Sequence, residues 1–219
     1  MLRKHKRLTK KELKQDALVL LTAQVVDFSR KEWLKISSIF LTVILFILLA
    51  FFVVKGKQKR TINAFDTAFT ALKNDAPEAL DLLKRVVDDY GGSSQAGEAV
   101  MKLGNSYFHL KDYDSAEMYL NRYIDKYADD PIYIFNAYNS LGSIYEEKGD
   151  YTKAGEIYEI FISKYKNSVF LPTMLLNAGK AYYLSKNIDD AKRNFLKITN
   201  DFKDSKQKQE AVFFLELLN

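Results

Sequence analysis

An aromatic residue recurs at steps of 37 or 38 residues after position 60, and each occurrence ends a copy of the same sequence pattern. The four aromatic residues are Tyr90, Tyr127, Tyr165 and Phe202. A period of this length is typical of stacked helical solenoids, in which each unit buries its apolar face only against its neighbours. The spacing therefore predicts an all-α chain built from about four helical hairpins. Such proteins usually hold other molecules and rarely catalyse reactions.

Three positions inside the repeat keep both their residue type and their spacing. A glycine recurs, an aromatic residue follows it by three positions, and an alanine follows it by 12 positions: Gly104, Gly142, Gly179; Tyr107, Tyr145, Tyr182; Ala116, Ala154, Ala191. A glycine on one helix and a small residue on the next allow two helices to pack closely. Polar residues separate the two halves, as in the turn Gly149-Asp150-Tyr151. The pattern thus predicts a tight helical hairpin in each repeat.

These residues resemble the tetratricopeptide repeat, in the lengthened variety common among bacterial envelope proteins. Residues 161–168 (FISKYKNS) match that variety, although the family usually carries a proline after the aromatic residue and this chain does not. The first unit is more degenerate, since Thr67 stands at the glycine position, whereas Ala79 and Leu83 keep the second-helix pattern. An atypical first unit suits a terminal cap. The resemblance implies a repeat domain over residues 61–219, and residues 210–219 are predicted to form a closing helix.

A second strong feature is the uncharged segment 36–54 (ISSIFLTVILFILLAFFVV), which contains 19 residues. At about 1.5 Å per residue, a helix of this length nearly spans a hydrocarbon core of roughly 30 Å. The segment is predicted to be a single transmembrane helix. A buried core helix is the alternative, but it would carry a polar stripe. A cleavable secretory signal fits poorly, because a long polar segment precedes the apolar run and no small-residue cleavage site follows it.

Basic residues flank this segment on both sides. The tail, residues 1–35, contains ten Lys or Arg against four acidic residues, and the linker, residues 55–60, contains Lys55, Lys57, Lys59 and Arg60. The whole-tail count favours a cytoplasmic N terminus, while the residues nearest the span give no clear orientation. Residues 9–28 combine a capping-box spacing with apolar residues at helical intervals, which predicts an amphipathic helix on the membrane or on a membrane partner. A solvated helix leading into the span is the alternative.

The sequence argues against nucleic-acid binding and against catalysis. The sequence pI is about 9.0, but the excess positive charge lies beside the predicted span and leaves the repeats acidic. The chain has no cysteine, and its only histidines are His5 and His109, so the usual zinc sites and nucleophile–base pairs cannot be assembled. Paired carboxylates lie at predicted turns and helix ends. We therefore predict no catalytic, metal-binding or cofactor-binding residue, and no enzymatic activity.

The resemblance to tetratricopeptide repeats implies that the first helix of each repeat lines a concave groove for a protein partner. The family's groove positions correspond to Met101, Asn105, Phe108, His109, Asn139, Ser143, Glu146, Leu176, Lys180 and Tyr183. Asn105 and Asn139 are predicted to hydrogen-bond a peptide backbone, and Met101, Phe108 and Tyr183 to supply apolar contact. The alternative for any one of them is that it caps a helix or contacts a neighbouring repeat.

The layout as a whole resembles the YfgM-like ancillary subunits of the bacterial Sec translocon. That resemblance implies a single-pass protein of the bacterial inner membrane, in contact with lipid through its span and with its repeats in the periplasm. The implied partners are translocon subunits, chaperones or client polypeptides. The alternative function is that of a structural assembly or division-coordinating factor of the bacterial envelope.

Overall fold

The structure, a computed structural model, describes residues 10–218. Position 9, where the predicted amphipathic helix begins, lies outside the described residues. Within this range the chain forms α-helices and no strand. The helices are α1 (Lys10–Lys73), α2 (Ala79–Asp89), α3 (Ser94–His109), α4 (Tyr113–Lys126), α5 (Pro131–Glu147), α6 (Tyr151–Lys164), α7 (Leu171–Leu184), α8 (Ile188–Asp201) and α9 (Lys208–Leu217). The predicted all-α fold is confirmed.

The chain divides into two units, Met1–Gln58 and Lys59–Asn219. In the first unit, α1 carries the apolar segment 36–54, and every side chain of that segment except Ser37 is exposed in the protein alone. A core helix would bury these side chains, so the alternative of a buried helix is not supported. Glu32–Lys73 is long and apolar enough to cross a membrane, which makes this helix a candidate span by length and composition.

In the second unit, consecutive helices pack as antiparallel hairpins. The end of α1 leads into α2 through residues 74–78, and Phe65 and Ala68 of α1 belong to the same core cluster as Leu83 of α2, which makes this the first hairpin. The pairs α3–α4, α5–α6 and α7–α8 form the next three. Helix α3 also contacts α5, the first helix of the following hairpin. One continuous apolar core runs through all the hairpins, as expected of a solenoid.

The repeated glycines allow the two helices of a hairpin to approach closely. A Cβ atom on Gly142 would lie 2.2 Å from Cε1 of Tyr158, and one on Gly179 would lie 2.5 Å from Cε1 of Phe195. A Cβ atom on Gly104 would lie 2.8 Å from Cδ2 of Leu120. The alanines that follow these glycines, Ala116, Ala154 and Ala191, are fully buried. The close approach predicted from the spacing is therefore confirmed.

The turn inside each hairpin has the same backbone conformation. Lys111, Gly149 and Lys186 have φ angles of 61°, 77° and 64°, in the left-handed region that commonly ends a helix. The next residue is then the N-cap of the second helix. The side chain of Asp112 accepts a hydrogen bond from the backbone N–H of Ser115 at 3.1 Å, which caps α4. The Ser115 side chain, together with this backbone hydrogen bond, lowers the pKa of Asp112.

The recurring aromatic residues lie at the ends of the second helices. Tyr127 ends α4, and its hydroxyl donates a hydrogen bond at 2.8 Å to the backbone oxygen of Gly91, between the first and second hairpins. Tyr165 ends α6 and packs within its own hairpin, with its ring centroid 5.0 Å from that of Phe161 and 6.0 Å from that of Tyr138. The period seen in the sequence thus marks the end of the second helix of each repeat.

Helix α9 covers the last hairpin, which confirms the predicted closing helix. The Phe214 ring stacks on Phe195 with centroids 5.0 Å apart and planes 7° apart, and it meets the Tyr183 ring edge-on at 5.4 Å. Glu216 stands 37 residues after Gly179, at the position that glycine occupies in the repeats. A helix that packed on α9 as α8 packs on α7 would therefore contact the side chain of Glu216 in place of a glycine.

Candidate partner-binding surface

The first helices α3, α5 and α7 present side chains at matching positions. We call this surface the first-helix face, and it consists of Asn105, Phe108, Ser143, Glu146, Lys180 and Tyr183. All six residues are half-buried, so each is held by its neighbours and still reaches solvent. Within this face, Phe108, Glu146 and Tyr183 occupy one position of the repeat, and we call them the central row. Three consecutive repeats thus contribute to one surface.

Two of the predicted groove residues lie in the core instead. Met101 is 1% exposed and Leu176 is 7% exposed. The same position of α5 holds Asn139, whose Oδ1 accepts a hydrogen bond from Nδ2 of Asn177 on α7 at 2.8 Å. This position therefore faces the neighbouring first helix, where an apolar side chain becomes buried. We leave Met101 and Leu176 out of the surface available to a partner.

The predicted asparagines take part in contacts between repeats. Besides the bond to Asn139, the hydroxyl of Ser140 donates to Oδ1 of Asn105 at 3.4 Å. Polar pairs therefore join α3 to α5 and α5 to α7. Both asparagines therefore contact a neighbouring repeat, which was the alternative to a role in partner binding. Their Oδ1 atoms are used in these contacts, whereas their Nδ2 groups have no hydrogen-bond partner among the described residues.

The tyrosine hydroxyl beside the first-helix face was not anticipated. Tyr158 is on α6, but its ring passes over Gly142 and its hydroxyl interacts with the side chains of Ser143 and Glu146. Burial, reinforced by the charge of Glu146, raises the pKa of Tyr158, so the hydroxyl keeps its proton and remains a donor. The sequence could have indicated a special role for Tyr158, because the residues at the same position of the other repeats, Leu120 and Phe195, carry no hydroxyl.

Glu146 is the half-buried carboxylate at the centre of this surface. Its burial raises its pKa, while the nearby Tyr158 hydroxyl and the charge of Lys180 lower it less strongly. Lys180 forms its ion pair with a different carboxylate, because its Nζ lies 3.0 Å from Oε1 of Glu210 on α9. The carboxylate is therefore only partly compensated by the charges of its own chain.

The remaining predicted residue, His109, lies at the exposed end of α3. It borders, together with Asn105, a cavity of about 580 Å³ between the end of α1, α2 and α3, lined also by Leu72, Pro77 and Lys102. Among the described residues, no group of three or more His, Cys, Asp or Glu side chains could hold a metal ion. The surface is therefore one of amide, aromatic and single charged groups, which suits contact with another polypeptide.

Comparison with known families agrees with this architecture. A family described as "Tetratricopeptide repeat" matches residues 73–131, and two further tetratricopeptide-repeat families match residues 135–160 and 174–205. Together the matches cover just over half of the chain. The chain is a tetratricopeptide-repeat protein. Tetratricopeptide repeats indicate a scaffold for protein–protein interaction, and the families that carry them are typically non-catalytic.

Two solved structures have a similar fold. The structure of MamA AMB-1 superposes with a TM-score of 0.51 at 18% identity, over 65% of this chain and 73% of that one. The TPR-like repeats of a Podospora anserina kinesin light chain superpose with a TM-score of 0.50 at 15% identity, over 73% of this chain and 92% of that one. At these identities the likeness shows the fold alone. No curated protein matches this tetratricopeptide-repeat chain.

Proposed function

We propose that this protein is a membrane-anchored scaffold whose repeats hold protein partners through the first-helix face. The partners are subunits of the Sec translocon, or the chaperones and client polypeptides that meet it in the periplasm. In this proposal residues 1–35 are a basic tail, residues 36–54 cross the bacterial inner membrane, residues 55–60 link the span to the repeats, and residues 61–219 are the periplasmic repeat domain. The protein carries no cofactor and performs no catalysis.

The observation that carries the proposal is the composition and exposure of the first-helix face. Three successive repeats place half-buried aromatic, amide and charged side chains at equivalent positions. A side chain that is partly buried loses less conformational freedom when a partner covers it, and aromatic residues supply much of the energy of protein interfaces. The stacking of the repeats therefore supports one extended contact surface.

The anchor is supported by the exposed apolar surface of α1. Large apolar side chains such as Phe40, Phe46 and Phe52 are 67–74% exposed in the protein alone. A soluble protein rarely exposes a continuous apolar surface of this length. Trp33 precedes the apolar segment and Lys55 follows it, and residues of these types favour the membrane–water interface.

The proposal is tested by isolating the full-length tagged chain from membranes in mild detergent and identifying the bound polypeptides by mass spectrometry. The informative variant is Glu146→Lys, which reverses the charge at the centre of the first-helix face. Its matched control is Glu156→Lys, the same charge reversal at an exposed position of α6, the second helix of the same repeat. We expect Glu146→Lys to lose bound polypeptides and Glu156→Lys to retain them.

Recovery of the same polypeptides with both variants would show that the first-helix face is not the contact surface. Recovery of outer-membrane assembly or division factors without translocon subunits would favour the role of an envelope assembly factor instead. Orientation is tested separately by adding protease to intact spheroplasts. The repeat domain should be degraded, and its survival would place it in the cytosol.

A further inference from the structure

We infer that the first-helix face binds an extended polypeptide segment that carries one arginine or lysine midway between two apolar side chains. This inference rests on the proposed function and adds the chemistry of the bound segment. It starts from the central row, in which Phe108, Glu146 and Tyr183 occupy the same position of α3, α5 and α7. The row therefore presents an acidic group between two aromatic rings.

The carboxylate in the middle of the row shares its neighbouring cation with another carboxylate. Glu146 is half-buried beside the neutral hydroxyls of Ser143 and Tyr158. The cation that acts on it is Lys180, whose Nζ is bound to Glu210 at 3.0 Å. Glu147, the next residue along α5, adds a further negative charge. An arginine or lysine from a partner therefore complements the charge of this surface, and the hydrogen bond it forms is charge-assisted.

The two aromatic ends of the row are each packed on one side. The Phe108 ring lies 5.9 Å from the Tyr113 ring, and the Tyr183 ring lies 5.4 Å from the Phe214 ring. Because both side chains remain partly exposed, part of each ring is open to an incoming apolar side chain. Rings fixed by such contacts can bind an apolar side chain with little loss of their own conformational freedom.

The spacing of the row sets the spacing in the bound segment. Packed helices lie about 8–10 Å apart. An extended chain in the polyproline II conformation advances about 3.1 Å per residue with three residues per turn, so one step along the row corresponds to about three residues and every third side chain faces the row. The direct contact of α3 with α5, and of Asn139 with Asn177 across α5 and α7, is consistent with steps of this size. The segment is thus apolar-x-x-basic-x-x-apolar, which reads the same in both chain directions.

The test uses a fluorescein-labelled peptide, SGLSSRSSLGS, and a second peptide in which glutamate replaces the arginine. Each is titrated by fluorescence anisotropy into the full-length chain in a neutral detergent. We expect the arginine peptide to bind about 10-fold more tightly than the glutamate peptide, as a charge-assisted contact requires. In Glu146→Gln this ratio should fall to about 3-fold or less, because the charge that discriminates between the peptides is removed.

The control variant is Glu156→Gln, which makes the same charge change at an exposed position on α6, the second helix of the repeat. It should keep the ratio of the unmodified chain, and circular dichroism should show that both variants are folded. Equal affinities for the two peptides, an unchanged ratio in Glu146→Gln, or no binding of either peptide at about 1 mM would overturn the inference. If Glu146→Lys still releases polypeptides while the two peptides bind the unmodified chain equally, this inference fails and the proposed function stands.

Discussion

Replacing the glycines at which the two helices of a hairpin approach closely should lower the stability of the fold by amounts that differ from one glycine to the next. Replacing Gly142 by alanine places a Cβ atom 2.2 Å from Cε1 and 2.3 Å from Cζ of Tyr158, a ring that is 1% exposed. The ring cannot move without displacing buried neighbours, and overpacking of this kind costs about 1–3 kcal/mol. Alanine in place of a helical glycine returns about 0.5–1 kcal/mol through its higher helix propensity. Because the 2.2 Å contact is the shortest that any of the glycines would make, the overpacking cost is in the upper part of that range, about 2–3 kcal/mol, and the net loss for Gly142→Ala is about 1–2 kcal/mol.

The same substitution should cost less at the equivalent glycines. A Cβ atom on Gly179 meets Cε1 of Phe195 at 2.5 Å, whereas one on Gly104 meets Cδ2 of Leu120 at 2.8 Å, the end of a flexible side chain. The expected order of destabilisation is Gly142→Ala, then Gly179→Ala, then Gly104→Ala. Gly92→Ala is the control, because no atom lies within 4 Å of its added Cβ atom.

Thermal unfolding of the full-length chain in mild detergent, followed by circular dichroism at 222 nm, measures these differences. For a protein of this size, about 1 kcal/mol shifts the melting temperature by about 2–4 °C, so Gly142→Ala should melt about 2–8 °C lower. The double variant Gly142→Ala/Tyr158→Leu should recover part of the loss relative to Tyr158→Leu alone, because a smaller side chain relieves the clash. A Gly142→Ala chain as stable as Gly92→Ala would refute the close-approach argument.

Three further predictions concern single side chains and use the same unfolding measurement. Phe214→Ala should cost about 2–3 kcal/mol, because it removes the stacking on the last hairpin, whereas Phe213→Ala, 54% exposed, should cost under about 1 kcal/mol. Asp130→Ala should cost about 1 kcal/mol, because the Asp130 side chain accepts hydrogen bonds from the backbone N–H groups of Ile132 and Tyr133; Glu78→Ala, at an N-cap with no such bond, should cost less. Glu146→Gln should raise the melting temperature at pH 7 and leave it unchanged at about pH 4. Burial raises the pKa of Glu146 above its ordinary value. The folded chain therefore loses stability as the pH rises from the ordinary to the raised pKa, and glutamine avoids this loss.

Each of these predictions has a contrary outcome. Equal losses of unfolding free energy in the two phenylalanine variants would show that the contacts of Phe214 do not hold α9 on the last hairpin. A Glu78→Ala loss as large as that of Asp130→Ala would remove capping as the explanation. A lower melting temperature for Glu146→Gln at pH 7 would mean that the carboxylate is well compensated, and it would weaken the case for a cation supplied by a partner.

The regular part of the fold could be predicted from the sequence because one motif repeats with little change. The glycine at 142 and the alanine at 154 each recur in two other repeats, so their close packing could be anticipated without coordinates. The closing helix was also predictable, from an apolar segment after the last repeat. These features depend on the pattern along the chain, and sequence carries that pattern directly.

The details of the surface could not be predicted in the same way. Met101 and Asn139 hold the same position of successive repeats, yet one is buried and the other bonds to Asn177. Similarly, the hydroxyl of Tyr158 interacts with Glu146 only because its ring crosses Gly142. Such outcomes depend on the distance between neighbouring helices and on the size of the facing side chain, and a periodic pattern along one helix records neither.

The claim that the first helices form the contact surface is tested most directly by site-specific photo-cross-linking in living cells. A benzoylphenylalanine is placed at one exposed position of each first helix, at His109, Glu147 or Leu184. The matched set lies on the second helices, at Met118, Ile160 or Leu196, which are 40–56% exposed. We predict cross-links to other polypeptides from the first set and few from the second. Cross-links from the second set alone, or equally from both, would contradict the account.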